Sequence, residues 1–125
     1  MIKYEVTVED DGTQEWRLNG KMHREDGPAY LSHDGWKAWY LNGKLHREGG
    51  PAVIGSDGYN AWWLKDERHR EDGPAIVYPD GNKEWWLNGV RVTEADVMGH
   101  KITVDGKEVT LSAESYKALK ESINA

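Results

Sequence analysis

The chain has 125 residues, with 16 basic and 22 acidic side chains, a net charge of −6, no cysteine and no phenylalanine. The absence of Cys excludes disulfide frameworks, thiolate zinc sites and thiol nucleophiles, and the acidic balance argues against binding nucleic acid or an anionic lipid surface through a general field. Only 22 residues are Leu, Ile or Val, so the apolar volume of a folded domain must come from 7 Trp and 6 Tyr, large rings with a polar tip.

The N-terminal stretch from Met1 to Asp10 alternates and is acidic. It reads as a strand, Ile2 to Val8, and as neither a signal peptide nor a transit peptide. No apolar run approaches the ~18 residues of a membrane span, so a cytoplasmic protein is expected.

From residue 11 the chain repeats itself every 23 residues. Asp11-Gly12, Asp34-Gly35, Asp57-Gly58 and Asp80-Gly81 open the copies, near 11, 34, 57 and 80. In register behind them stand Trp16, Trp39, Trp62 and Trp85, then Leu18, Leu41, Leu64 and Leu87, then Asn19-Gly20, Asn42-Gly43, Lys65-Asp66 and Asn88-Gly89. His-Arg-Glu follows at 23–25, 46–48 and 69–71, and Gly-Pro-Ala at 27–29, 50–52 and 73–75. The short aromatic segment before each Asn-Gly favours a strand. Asn-Gly tolerates positive φ at both central positions and closes a tight hairpin. Gly-Pro interrupts the ladder, and a second short strand such as Ala75–Tyr78 leads into the next Asp-Gly turn.

The pattern predicts an all-β, elongated antiparallel meander over residues 1–93, with no helical period before residue 111. Residues 94–125 form a C-terminal unit. Lys101–Val104 and Lys107–Thr110 are expected to make a hairpin about Asp105-Gly106, and Ser112 to cap a helix over Ala113–Ile123. Tyr116, Leu119 and Ile123 give that helix one apolar stripe, which must pack on something.

The three in-register histidines do not make a metal site. Equivalent side chains of stacked hairpins lie ~10 Å apart, given strand spacings of about 4.8 Å, whereas one zinc needs its nitrogens within ~3–4 Å. The His-Arg-Glu groups are expected instead to satisfy backbone groups and each other around the Gly-Pro corner. Turn chemistry accounts for the Asp-Gly pairs without calcium. No P-loop, dinucleotide fingerprint, G-x-S-x-G or H-E-x-x-H occurs, so no catalytic residues, metal or cofactor are assigned and the chain is read as a non-enzyme.

Alternation separates the two faces of the aromatic strand. Trp16, Trp39, Trp62 and Trp85 with their Leu partners recur in every copy and are assigned to the core. The other face carries Trp36, Ala38 and Tyr40, then Tyr59, Ala61 and Trp63, then Trp86 in the last copy. Trp36, Tyr40, Tyr59, Trp63 and Trp86 are therefore candidate partner-binding residues. Two alternatives stay open. The C-terminal helix could lay its stripe over this face, or a nucleotide-like ligand could stack on a ring while Arg24, Arg47 or Arg70 meets its phosphate.

In these motifs the chain resembles the MORN-repeat family, whose unit is also a 23-residue β-hairpin. It looks closest to a variant with the His-Arg-Glu-Asp-Gly-Pro-Ala signature found in small bacteriophage and giant-virus proteins. The resemblance covers roughly residues 2–92. It implies a meander of MORN-like hairpins with a C-terminal hairpin and short helix as cap, acting as an interaction scaffold. It further implies a phage-encoded protein that binds, and in doing so inhibits, a bacterial host protein such as a defence component in the host cytoplasm. A nucleotide-sequestering protein and a structural or assembly protein without a ligand are the other functions left open, and the open sheet edges leave pairing with a second copy open too.

Overall fold

The structure, a computed structural model, describes residues 3–123. Ile2, the expected start of the first strand, lies outside the described residues. Along the chain run β1 (Glu5–Val8), β2 (Gln14–Leu18), β3 (Lys21–Met22), β4 (Tyr30–Leu31), β5 (Lys37–Ala38), β6 (Tyr40–Leu41), β7 (Lys44–Leu45) and β8 (Val53–Ile54). They continue with β9 (Asn60–Ala61), β10 (Trp63–Leu64), β11 (Glu67–Arg68), β12 (Ile76–Val77), β13 (Lys83–Leu87) and β14 (Val90–Val92). The C-terminal unit holds α1 (Glu94–Met98), β15 (His100–Val104), β16 (Lys107–Leu111) and α2 (Ala113–Ile123).

The backbone is an antiparallel meander of ten strands in the order β1-β2-β4-β5-β8-β9-β12-β13-β14, with β3 beside β2. Two short hairpins, β6–β7 and β10–β11, continue the middle copies, and β15–β16 forms a separate hairpin. The Asp-Gly turns close as expected. Asp11, Asp57 and Asp80 each accept a bond from the backbone N–H two residues on, at 2.9, 3.1 and 2.9 Å. Such Asx bonds hold a tight turn without an ion. The hairpin tips have positive φ at both central residues, as in Asn42 (51°) and Gly43 (80°). The deviant Lys65-Asp66 tip keeps that geometry at 48° and 67°. Asp66 offsets the strain on side chains there, since its carboxylate accepts a 2.7 Å bond from the Leu45 N–H of the preceding copy.

The return strand of each copy is one strand with an excursion. β3 and β4 both pair with β2, at Arg17↔Met22 and at Glu15↔Tyr30, and residues 23–28 leave the ladder between them. Trp16 closes the base of this loop. Its carbonyl accepts from the His23 N–H at 3.0 Å and its own N–H donates to the Ala29 carbonyl at 2.7 Å. Trp39 with His46 and Ala52, and Trp62 with His69 and Ala75, repeat the arrangement. This explains one departure from the expected strands: in the middle copies the aromatic strand is divided at Trp39 and Trp62, and Trp36 and Tyr59 precede it.

The assignment of the Trp column to the core needs correcting. The buried apolar residues are Ala29, Ala38, Ala52, Ala61, Ala75 and Ile76, while Trp16, Trp39, Trp62 and Trp85 are only half-buried. Ala75 and Ile76 are adjacent and point to opposite faces, so the sheet is covered on both sides along its middle. Small residues next to the backbone are closed over by the large rings and long side chains flanking them, because a single sheet has no second layer to do it.

The C-terminal unit forms as expected over β15, β16 and α2, and adds a helix the sequence reading lacked. Thr93 caps α1 through a reciprocal capping box with Asp96, at 3.2 and 2.9 Å. At five residues α1 is too short to show a period. It packs on β13, and α2 packs on α1 and β16. Tyr116 stacks on His100 with ring centroids 3.6 Å apart, whereas Leu119 and Ile123 remain 39% and 72% exposed. The helix stripe is thus not laid over the aromatic strands. Among the described residues no helix is long and apolar enough to cross a membrane.

Candidate interaction surfaces

The meander presents two chemically different faces. Cross-strand partners share a face, so the pairs Tyr30↔Ala38, Ala38↔Val53, Val53↔Ala61, Ile76↔Ala61 and Ile76↔Glu84 mark a column running along one side of the sheet. The five candidate partner-binding residues flank it. Trp36 and Tyr59 lie on one side of the column, two positions before Ala38 and Ala61; Tyr40, Trp63 and Trp86 lie on the other, two positions after Ala38, Ala61 and Glu84. All five are half-buried.

Two residues not foreseen complete these rows. Tyr78 extends the first, with Trp36–Tyr59 and Tyr59–Tyr78 centroid separations of 5.7 and 5.8 Å. Arg68 lies between Trp63 and Trp86, its guanidinium carbon 4.9 and 4.8 Å from the two ring centroids. Tyr78 follows β12 at a position that is Ser32 and Gly55 in the preceding copies, and Arg68 stands at one that is Met22, Leu45 and Arg91 in the others, so neither belongs to a motif common to all copies. Glu84 ties the rows together at this end, accepting from the Tyr78 hydroxyl at 2.6 Å and from Trp86 Nε1 at 2.9 Å. Trp63 Nε1 and Arg68 Nε are buried without a hydrogen-bond acceptor among the described residues.

The Tyr78 hydroxyl bond, reinforced by the one from Trp86, holds the Glu84 carboxyl below its ordinary value, and the same bond raises the Tyr78 phenol. Asp11, Asp34 and Asp96 are also lowered, mainly by their bonds with Thr13, Ser32 and Thr93. A carboxylate depressed by folding adds stability above its unfolded pKa and loses it as pH falls through the folded value. The thermal midpoint should therefore fall between about pH 5 and pH 3, and Glu84→Gln should flatten that decline. Parallel curves for the two proteins would show that the Tyr78–Glu84–Trp86 tie contributes nothing.

The opposite face carries the His-Arg-Glu loops, and every loop side chain has a local task. Arg24, Arg47 and Arg70 lie over Trp16, Trp39 and Trp62, their guanidinium carbons 3.8, 3.9 and 4.0 Å from the ring centroids. Each also donates to the carbonyl of Pro28, Pro51 or Pro74, at 3.3, 3.1 and 3.2 Å. The loop glycine exists for this stack: a Cβ on Gly27, Gly50 or Gly73 would stand 2.9, 3.0 or 2.6 Å from the guanidinium carbon. His23, His46 and His69 link copy to copy, each Nδ1 accepting the backbone N–H of Asn42, Lys65 or Asn88 at 2.9, 3.1 and 2.9 Å. That bond leaves Nε2 as the protonated nitrogen, and it faces Glu25, Glu48 or Glu71 at 3.5, 3.8 and 3.2 Å. The expectation that His-Arg-Glu serves the Gly-Pro corner agrees with this geometry, which adds the Trp stack and the inter-copy bond.

The three arginines and the five candidate rings thus lie on opposite faces. The arrangement does not bring a ring of the Trp36–Trp86 set and a loop guanidinium to one site. Among the described residues no three His, Asp or Glu side chains converge as metal ligands. Comparison with family models, with curated proteins and with solved structures found no match.

Proposed function

We propose that this chain is a non-catalytic interaction module, a MORN-like hairpin-repeat scaffold that binds a protein partner on the aromatic face of its sheet. The observation that carries the reading is the double row of half-buried rings, Trp36-Tyr59-Tyr78 and Tyr40-Trp63-Trp86, with Arg68 between the last two indoles. Trp, Tyr and Arg are the residues in which binding energy concentrates at protein interfaces, and here the Trp36-Tyr59-Tyr78 row and the Trp63-Arg68-Trp86 group are held by ring and guanidinium contacts, which reduces the entropy lost on association. The position of α2 on α1 and β16 supports the reading, since the chain's own helix is engaged elsewhere. Following the motif resemblance, the partner is a bacterial host protein in the cytoplasm and the consequence of binding is its inhibition by a phage-encoded protein.

Affinity capture from bacterial lysate provides the test. A protein retained by the wild type should be retained by Lys101→Ala, in the C-terminal hairpin, and lost with Tyr40→Ser or Trp86→Ser at a temperature where all variants remain folded. Equal capture by all of them would overturn the assignment of this face.

A further inference from the structure

We propose that the two grooves between successive His-Arg-Glu loops, on the face opposite the aromatic rows, are docking sites for tyrosine side chains of one extended partner segment. The chain supplies its own example of the occupant. Tyr4, just before β1, sits at the outer side of the first loop, with its ring edge-on to Trp16 at 5.4 Å and stacked on His23 at 6.2 Å. Its hydroxyl accepts the Glu25 backbone N–H at 3.4 Å. Beneath it His23 is only 5% exposed.

The repeat period carries this site forward. Adding 23 to Trp16, His23 and Glu25 gives Trp39, His46 and Glu48, and adding it again gives Trp62, His69 and Glu71. The first trio lines a groove of about 680 Å³ and the second a groove of about 370 Å³. The same steps from Tyr4 reach Gly27 and Gly50, so the chain has no ring of its own at either place. The backbone N–H groups of Glu48 and Glu71 have no acceptor among the described residues, although their counterpart at Glu25 holds a phenol. Each groove therefore repeats an aromatic edge, an imidazole face and a free donor around an unfilled space.

The spacing of the grooves selects the form of the ligand. Neighbouring copies lie two strands apart, about 9.6 Å. A polyproline-type segment advances about 9.3 Å in three residues and returns to the same side. Two tyrosines at i and i+3 of such a segment would enter both grooves at once. The exposed carboxylates of Glu25, Glu48 and Glu71 rim the face, which favours basic residues between or beside the tyrosines.

The experiment follows backbone amide resonances of ¹⁵N-labelled full-length protein. Titration with p-cresol, the tyrosine side chain itself, should shift Glu48 and Glu71 saturably and move Glu25, which borders the first groove but whose N–H already bonds Tyr4, by less, and toluene should not reproduce the amide shifts. In Tyr4→Ala the vacated first site should admit p-cresol and Glu25 should respond as strongly as Glu48 and Glu71. A Pro-Tyr-Lys-Pro-Tyr-Pro peptide should bind at least about tenfold more tightly than its single-tyrosine analogue. If p-cresol leaves Glu48 and Glu71 unmoved, Tyr4 is only an end cap and the proposal fails. It fails equally if the second tyrosine adds no affinity. Neither result depends on the aromatic face, so the proposed function can stand or fall separately.

Discussion

Trp62→Ala should lower the stability of the protein by about 3 kcal/mol, the low end for an aromatic truncation because the ring is half-buried. Trp62 is the keystone of its copy. Its backbone closes the loop through Ala75 and His69, at 2.7 and 3.2 Å, and its ring is the floor on which the Arg70 guanidinium lies. Arg70→Ala should cost less, about 1–3 kcal/mol for the stack and the bond to the Pro74 carbonyl. Gly73→Ala should cost no more than Arg70→Ala, since the Cβ only displaces the guanidinium from its seat. In the Arg70→Ala background the glycine substitution should be nearly silent. Urea unfolding of the four proteins measures these differences. An undiminished Gly73→Ala cost in the absence of Arg70 would show that the glycine serves the backbone and not the stack.

The 23-residue register was enough to place every hairpin of the meander, because turn chemistry is local: Asp-Gly and Asn-Gly state their geometry wherever they occur. The structural use of His-Arg-Glu was legible for a similar reason, since three equivalent groups cannot share one site. The burial pattern was not. Whether Ala61 or Trp62 is the better buried depends on which strand of the neighbouring copy lies opposite, and Ala61 is enclosed because Val53 and Ile76 flank it. Tyr78 and Tyr4 have no aromatic counterpart one period away, and Arg68 is matched only by Arg91, so the repeat carries no signal for any of the three. The α1 capping box was present at Thr93 and Asp96, but one turn of helix has too few residues for a periodic signal.

The second large effect is expected at the middle of the aromatic face. Among the described residues Ile76 is the one large side chain that is fully buried, and it occupies the position held by Val53 and Tyr30 in the preceding copies. Its cross-strand neighbours are Ala61 and Glu84, and Tyr59, Trp63 and Trp86 stand diagonally from it on the same face. Ile76→Ala should therefore cost about 3 kcal/mol, the lost transfer energy together with a void that stacked rings cannot fill without breaking the ladder. Ile76→Val should cost about 1 kcal/mol and Val53→Ala an intermediate amount, since half-buried Val53 gives up fewer contacts. The order of unfolding midpoints, Ile76→Val above Val53→Ala above Ile76→Ala, reads this directly. A small loss for Ile76→Ala, with the Trp emission moving to longer wavelength, would mean that the rings collapse freely onto the sheet. Rings that mobile could not form a pre-ordered docking surface, so the same measurement bears on the function proposed for them.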